Sequence, residues 1–478
     1  MEEVISRFPH IAEQIFEELD NYDLVQCKVI SQSWKNSIEE SKFSYIRLIA
    51  ASTNCSEKEV EKTFPKANLE ETIRLASDVT KVYNELKVYD PSLTLFHLAA
   101  IHGYLSICQI IVNSTKGQHP KDCSYKTPLH YAAEYGHLSI CQLIVEKKWT
   151  LVNNSRDLEG NFPLHIAAKN GHLSICKLLI SWIENALKNA FPTNVTNKFE
   201  STPLHLAAEN GHLLVCQFLV GKVGRLENVK KGNEDGITPL SFAARNGHSA
   251  VCHLLIESII DKRGINNGDK WRQTPLHFAA NKNLISVCKE LMEIVPEAVI
   301  CQDAFINTPF HFAASNGHLA VCDIMIKVHH SNILKYSDEL NLLEYCDHKY
   351  PFYWAASKGL FKVCILFIKR LKKKNPNDYG GCYSLLHWAA HNGHLEICQY
   401  IIENVNDKNP ADLSLDTPLH FAAQNGHLAI CQMIVNNIKD KEPKNHIGKT
   451  PIQLASDSGH SSIVKILQAS LAKKIKRT

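Results

Sequence analysis

Apolar positions in this chain recur at helical spacing in pairs of short segments. Between Thr127 and Glu146, Leu129, Ala132 and Ala133 mark a first segment, Leu138, Ile140, Cys141, Ile144 and Val145 a second, and Gly136 stands between them. Thr127 suits an N-cap, and Pro128 suits the first helical residue, where its missing N–H costs nothing. Gly136 has access to the left-handed conformation that ends a helix. The pattern predicts a short helix opening at Pro128, a turn, and a second helix from about His137 to Glu146. The apolar stripe of the second helix is too broad to leave in water, so neither helix stands alone.

The same pair returns along most of the chain. Its phrase, Thr-Pro-Leu-His-x-Ala-Ala followed by Gly-His and an apolar-Cys step, is clearest at Thr127 to Ala133, Thr202 to His205, Thr274 to His277 and Thr417 to His420. Counted at the histidine, the copies fall at His97, His130, His165, His205, Ser241, His277, His311, Tyr353, His387, His420 and Gln453. Steps run from 33 residues (His97 to His130) to 42 (His311 to Tyr353). Such a period marks stacked units, each stabilised by its neighbours, in place of one globular core.

The phrase resembles ankyrin repeats over residues 95–470. The resemblance implies an all-α solenoid of helix-turn-helix repeats joined by β-hairpin-like loops. It also implies that the repeat histidine hydrogen-bonds near the Thr-Pro turn, and that the following slot (Tyr131, Phe242, Phe278, Phe312, Trp354, Trp388, Phe421) faces the interior of the helix pair. Positions after Ala-Ala would point into a concave groove that binds a target protein. The candidates there are Glu134, Lys169, Glu209, Arg245, Asn281, Ser315, His391 and Gln424, with hairpin tips such as Asp235-Gly236-Ile237 beside them. Two units are stretched, between Cys176 and His205 and between Cys322 and Tyr353, as loops on a binding face or as lengthened helices.

Residues 1–50 do not fit the repeat. Ile11, Ile15 and Leu19 recur every four residues, Asp20 to Asp23 break the pattern, and Leu24, Cys27, Ile30, Trp34 and Ile38 resume it. Two amphipathic helices follow from that spacing, and a segment under about 40 residues seldom buries enough surface to stand alone. Their apolar faces need a partner, in this chain or another.

The stretch resembles an F-box at Phe8-Pro9, Leu19-Asp20, Asp23-Leu24 and Ile30-Ser31-Gln32-Ser33-Trp34, with Phe8 for the usual Leu, Ile30 for Val, and a first helix one residue short. The resemblance implies docking on the Skp-type adaptor of a cullin-RING ubiquitin ligase through Pro9, Ile11, Ile15, Leu19, Leu24 and Trp34. Its rival is a helical cap over the first repeat. Residues 51–94, with capping boxes at Ser56/Glu59 and Asn68/Glu71, form a helical linker or the cap itself.

Composition narrows the function further. The 478 residues carry 52 basic and 49 acidic side chains, a net charge of +3 that gives no support to nucleic acid as the general partner. The clusters Lys369 to Lys374 and Lys473 to Arg477 read as solvated ends before they read as localisation signals, and residues 471–478 make a basic tail. No apolar leader follows Met1 and no run of eighteen apolar residues occurs, so the expectation is a soluble, unsecreted protein without a membrane partner.

Ten of 16 cysteines hold one place in the repeat: Cys108, Cys141, Cys176, Cys216, Cys252, Cys288, Cys322, Cys364, Cys398 and Cys431. That is a packing position for reduced thiols and points to cytoplasm or nucleus. The eleven-residue step from His130 to Cys141 supplies two ligands per repeat where structural zinc needs four. Gly448-Lys449-Thr450 lacks the earlier glycine of a phosphate loop, since Pro443 stands there. With no catalytic constellation, no cofactor is expected. Two functions remain: a ligase substrate receptor acting as a monomer within a complex, or a scaffold or inhibitor with no ubiquitin link.

Overall fold

The computed structural model describes residues 93–114, 120–147, 156–186, 195–222, 227–259, 264–333, 351–370, 384–405 and 407–475. The F-box-like segment with Pro9, Ile11, Ile15, Leu19, Leu24 and Trp34, and the capping boxes after it, lie outside the described residues. Two compact units divide the chain, Met1–Pro239 and Leu240–Thr478.

In the first unit, Leu95–His102 (α1) pairs with Leu105–Ser114 (α2), Pro128–Glu134 (α3) with Leu138–Glu146 (α4), Pro163–Lys169 (α5) with Leu173–Ala186 (α6) and Pro203–Glu209 (α7) with Leu213–Lys222 (α8); a short Glu227–Lys230 (α9) follows. The second opens within Pro239–Asn246 (α10), followed by Ser249–Ser258 (α11). Its further pairs are Pro275–Asn281 (α12) with Ile285–Ile294 (α13), Pro309–Ser315 (α14) with Leu319–Ile333 (α15), Pro351–Ser357 (α16) with Phe361–Arg370 (α17), Leu385–His391 (α18) with Leu395–Asn404 (α19), Pro418–Gln424 (α20) with Leu428–Asn437 (α21) and Pro451–Asp457 (α22) with Ser461–Ile475 (α23). Within each unit first helices pack on first helices and second on second, in two layers. Both stretched repeats carry lengthened second helices, α6 of 14 residues and α15 of 15, against nine in α4.

Small side chains make the layers possible. Ala132 and Ala133 are fully buried between neighbouring first helices, and Cys141, Ile140 and Ile144 fill the space beneath. Burial pushes the Cys141 thiol up to about 12, so it packs and does not ionise. No strand occurs among the described residues; the connections are tight turns held by an acceptor side chain. Asp122 Oδ1 accepts the Ser124 and Lys126 N–H groups at 2.9 and 2.7 Å, and Asp269 does the same for Trp271 and Gln273. Adjacent turns share single main-chain bonds, such as Leu158 N–H to the Ser124 carbonyl at 2.8 Å. The hairpin-like loops expected from the sequence are therefore too short to build a ladder.

Two sets of histidines tie the repeats together. At His130, Nδ1 accepts the Thr127 N–H at 3.1 Å, which leaves the proton on Nε2 to donate to the Asn161 carbonyl of the next turn at 3.1 Å. His97, His165, His277, His387 and His420 repeat the forward link to Lys126, Ser201, Asn307, Asp416 and Lys449. Gln453 keeps the near half, accepting the Thr450 N–H at 2.8 Å. The same geometry puts Lys449 and Thr450 to structural use: the Lys449 carbonyl receives His420, and Thr450 caps α22.

The histidine after each glycine reaches backward. His137, His172 and His212 donate from Nε2 to the carbonyls of Ile101, Glu134 and Lys169 at 2.8–3.0 Å, and His318, His394, His427 and His460 do so in the second unit. Where the sequence has Leu360 in place of that histidine, Lys358 Nζ donates to the Ser315 carbonyl at 3.0 Å. Gly171 makes room for the ring: it sits at φ +79°, and a Cβ there would stand 2.5 Å from His212 Nδ1.

Gly171→Ala therefore combines a left-handed backbone with a ring clash and should lower unfolding stability by about 1–3 kcal/mol in urea titrations. Gly221→Ala, in the open and helical, should leave stability unchanged or raise it by up to about 1 kcal/mol. Equal losses from both would refute this account.

Burial lowers His130, His205, His277 and His387 to about 4 and His165 to about 3. Unfolded histidine takes its proton near 6.5, so between that value and about 4 the unfolded chain binds more protons and stability falls as pH falls. Each histidine contributes up to about 1.4 kcal/mol per pH unit in that window. The urea midpoint should drop from pH 7 to pH 5, and an unchanged midpoint would sink the assignment.

Candidate functional site

The backward histidines fix the main chain at the residue after Ala-Ala. In the first unit, the carbonyls of Glu134 and Lys169 are held by His172 and His212 while their side chains differ in charge. Glu134 is half-buried and pairs with Lys126 at 2.9 Å; Lys126 also lies 5.1 Å from the Tyr131 ring centroid. Tyr131 donates its hydroxyl to Asp122 at 2.6 Å, and burial with that carboxylate pushes the phenol above its ordinary range. Lys169 is exposed and Glu209 half-buried.

In the second unit the same positions carry Arg245, Asn281, Ser315, His391 and Gln424. Arg245 is exposed, 6.0 Å from the Phe278 ring centroid. Asn281 Oδ1 accepts from Asn316 Nδ2 at 2.9 Å, the Ser315 hydroxyl donates to the Phe312 carbonyl at 3.2 Å, and His391 Nδ1 accepts from Asn425 Nδ2 at 3.1 Å. Gln424 is exposed, and its carbonyl receives His460. All eight candidates thus stand at or near the surface of their own unit on the first-helix layer, with several committed to bonds between neighbouring repeats.

One sequence expectation changes. The aromatic slot after the repeat histidine does not face the interior of the pair: Phe278 alone of the seven is buried, Trp354 is exposed and the others are half-buried. Three of these rings stand edge-on to the histidine of the preceding repeat, with centroids 5.8 Å apart for His97 and Tyr131 and for His277 and Phe312, and 5.7 Å for His387 and Phe421. There the slot covers the forward histidine and shares the variable surface. In those three repeats a flat side chain fits over the histidine's edge, while Trp388 lies tilted at 30° to the Tyr353 ring with centroids 6.5 Å apart.

The turns hold the residues that sequence reasoning missed. Tyr125, Leu158 and Phe199 in the first unit and Trp271, Phe305, Ile306, Leu413, Leu415 and Ile447 in the second are large, apolar and exposed, Leu413 to 76%. Ile237, at the tip named from the sequence, is buried at 4%. The available signal was the Asp/Asn-x-x-x-x turn itself, whose second to fourth residues point away from the capped acceptor. Elsewhere His253 bridges α11 and α13, with Nδ1 2.6 Å from Glu290 and Nε2 2.9 Å from the Ser286 hydroxyl. Among the described residues no helix is long and apolar enough to cross a membrane.

A family model for ankyrin repeats in three copies matches residues 96–191, 164–266, 255–335, 331–412 and 386–478. Among solved structures, the chain is similar to the ankyrin repeat domain of Bcl-3, described as a unique member of the IkappaB protein family, at 23% identity and a TM-score of 0.41, covering 49% of this chain and 100% of that one. No curated protein matches. Helix pairs, histidine links and family matches that together run from residue 96 to residue 478 lead to one assignment: the chain belongs to the ankyrin-repeat family.

Proposed function

We propose that this chain is a protein-binding repeat scaffold and that residues 8–34 dock it on the Skp-type adaptor of a cullin-RING ubiquitin ligase. One observation carries the first half. Main chain pinned by the same histidine in repeat after repeat presents a different side chain each time: Glu134, Lys169, Asn281, His391. Constant backbone with varied chemistry suits the irregular surface of a protein better than a small molecule or a repetitive polymer. Exposed apolar side chains at the turns add contact area of the kind interfaces use.

The ligase half rests on the sequence of Phe8-Pro9, Leu19-Asp20, Asp23-Leu24 and Ile30 to Trp34. On this reading the repeats hold a target near a loaded ubiquitin-conjugating enzyme, and the gain is effective concentration, with the chemistry supplied by other subunits. The buried free thiols fit a reducing compartment, cytoplasm or nucleus. Departures at Phe8 and Ile30 keep a second reading in play: a scaffold or inhibitor whose first 50 residues cap the repeats.

Co-expression with the adaptor separates the two. Full-length wild type should copurify with it, and Leu19→Asp or Leu24→Asp should cut recovery by about tenfold or more, as loss of a buried interface anchor does. Equal recovery from all three chains would leave only the scaffold.

A further inference from the structure

We infer that the opening of the second unit, from α10 to α14, takes an acidic segment of a partner protein bearing aromatic or aliphatic anchors; this deepens the protein-binding reading and rests on it. Charge sorts sharply there. Across residues 239–246, 264–284 and 301–318, which form three first helices and the turns that precede α12 and α14, Arg245, Lys270, Arg272 and Lys282 are the lysines and arginines, and all four are exposed. The carboxylates of those stretches are Asp269 and Asp303, both buried and accepting main-chain N–H groups inside their own turns. Glu257 lies on α11, Glu290 and Glu293 on α13 and Asp323 on α15, in the second-helix layer, where Glu290 meets His253, Glu293 meets Lys289 and Asp323 meets Lys327. Glu297 follows on the 3-10 turn Pro296–Ile300.

The first unit lacks this sorting. Its corresponding stretches mix Lys121, Lys126, Arg156, Lys169 and Lys198 with the surface carboxylates Glu134, Glu159, Glu200 and Glu209. Apolar anchorage also concentrates at the cationic strip: Trp271, Phe305 and Ile306 are exposed on two turns joined by a 2.8 Å bond from Ala304 N–H to the Trp271 carbonyl, and the Lys270 ammonium lies 4.3 Å from the Trp271 ring centroid. Ile306 holds a left-handed φ of 67°, a conformation that β-branched residues rarely adopt and that glycine or asparagine would relieve. The same turn position is left-handed at Tyr125, Glu200, Arg272 and Leu415, so the conformation belongs to the turn and the residue type alone is unusual at Ile306.

The turn cations and those at the far ends of the first helices are separated by the length of α12, seven residues or roughly 10 Å. A short extended peptide spans that distance with acidic residues at both ends. Protein is favoured over single-stranded nucleic acid because uncharged Asn281 and Ser315 interrupt the cations, where a phosphate backbone wants a continuous track.

The test uses the full chain and a fluorescein-labelled synthetic peptide alternating glutamate with leucine and phenylalanine, with a lysine-for-glutamate peptide and oligouridine as competitors. Polarisation should report binding that weakens with added salt and falls by about fivefold or more in the double variant Arg272→Glu, Lys282→Glu, from two lost charge contacts. Glu200 occupies the Arg272 turn position at φ 56°, so the backbone accepts that substitution, and an unchanged melting curve confirms the fold. Lys121→Glu in the first unit should bind as wild type. Binding indifferent to the double variant, equal binding of the lysine peptide, or tighter binding of oligouridine would each overturn the proposal. Loss of this peptide interaction while a target protein still crosslinks to the chain would fell this inference alone; absence of both would fell the protein-binding reading.

Discussion

A neutral imidazole with both nitrogens occupied is the interaction on which these repeats depend. His130 closes the N-terminus of its own helix through Nδ1 and grips the next turn through Nε2. Only the uncharged ring can accept on one side and donate on the other, so the link and the lowered proton affinity have a single cause, burial between two repeats. A repeat with one buried stripe and two short helices has little stability of its own. The histidine converts local capping into coupling with the next unit. Gln453 keeps the capping half of the link without a ring, accepting the Thr450 N–H.

The backward histidine turns the same device toward function. By fixing the carbonyl after Ala-Ala, it separates the demands of folding from those of recognition at one residue: the main chain belongs to the stack and the side chain to the surface. Lys358 performs the task where Leu360 has replaced the ring, which shows that the carbonyl needs a donor more than it needs an imidazole. The glycine before each ring answers a steric demand of the same link, as at Gly171.

Charge then distinguishes the two units. The first mixes signs along its first-helix layer, whereas the opening of the second has only cations exposed among the charged groups of that layer, its second helices carrying both signs, with His253–Glu290 joining two of them and Lys289–Glu293 and Lys327–Asp323 each within one. Surface pairs of this kind add little to stability. Their arrangement matters for which partners approach, since like-signed rows steer encounter and reject mismatched charge.

Much of the architecture was written in the chain. Helical spacing, Thr-Pro starts, Gly136 and the recurrent cysteine determined the helix pairs, their caps and their packed faces, because each depends on residues within a few positions of one another. The candidate positions Glu134 to Gln424 were legible for the same reason, as the one place in a constant phrase where residue type varies. Tertiary structure alone decided what depends on the adjacent repeat: the carbonyl each histidine finds, the half-exposed aromatic slot over the preceding ring, the rescue by Lys358, and the outward turn residues Trp271, Phe305 and Leu413. Periodicity states which face of a segment is apolar. Which neighbour meets that face, and how much of each side chain the meeting leaves uncovered, follows from the distance and angle between units about thirty residues apart, which no local pattern encodes.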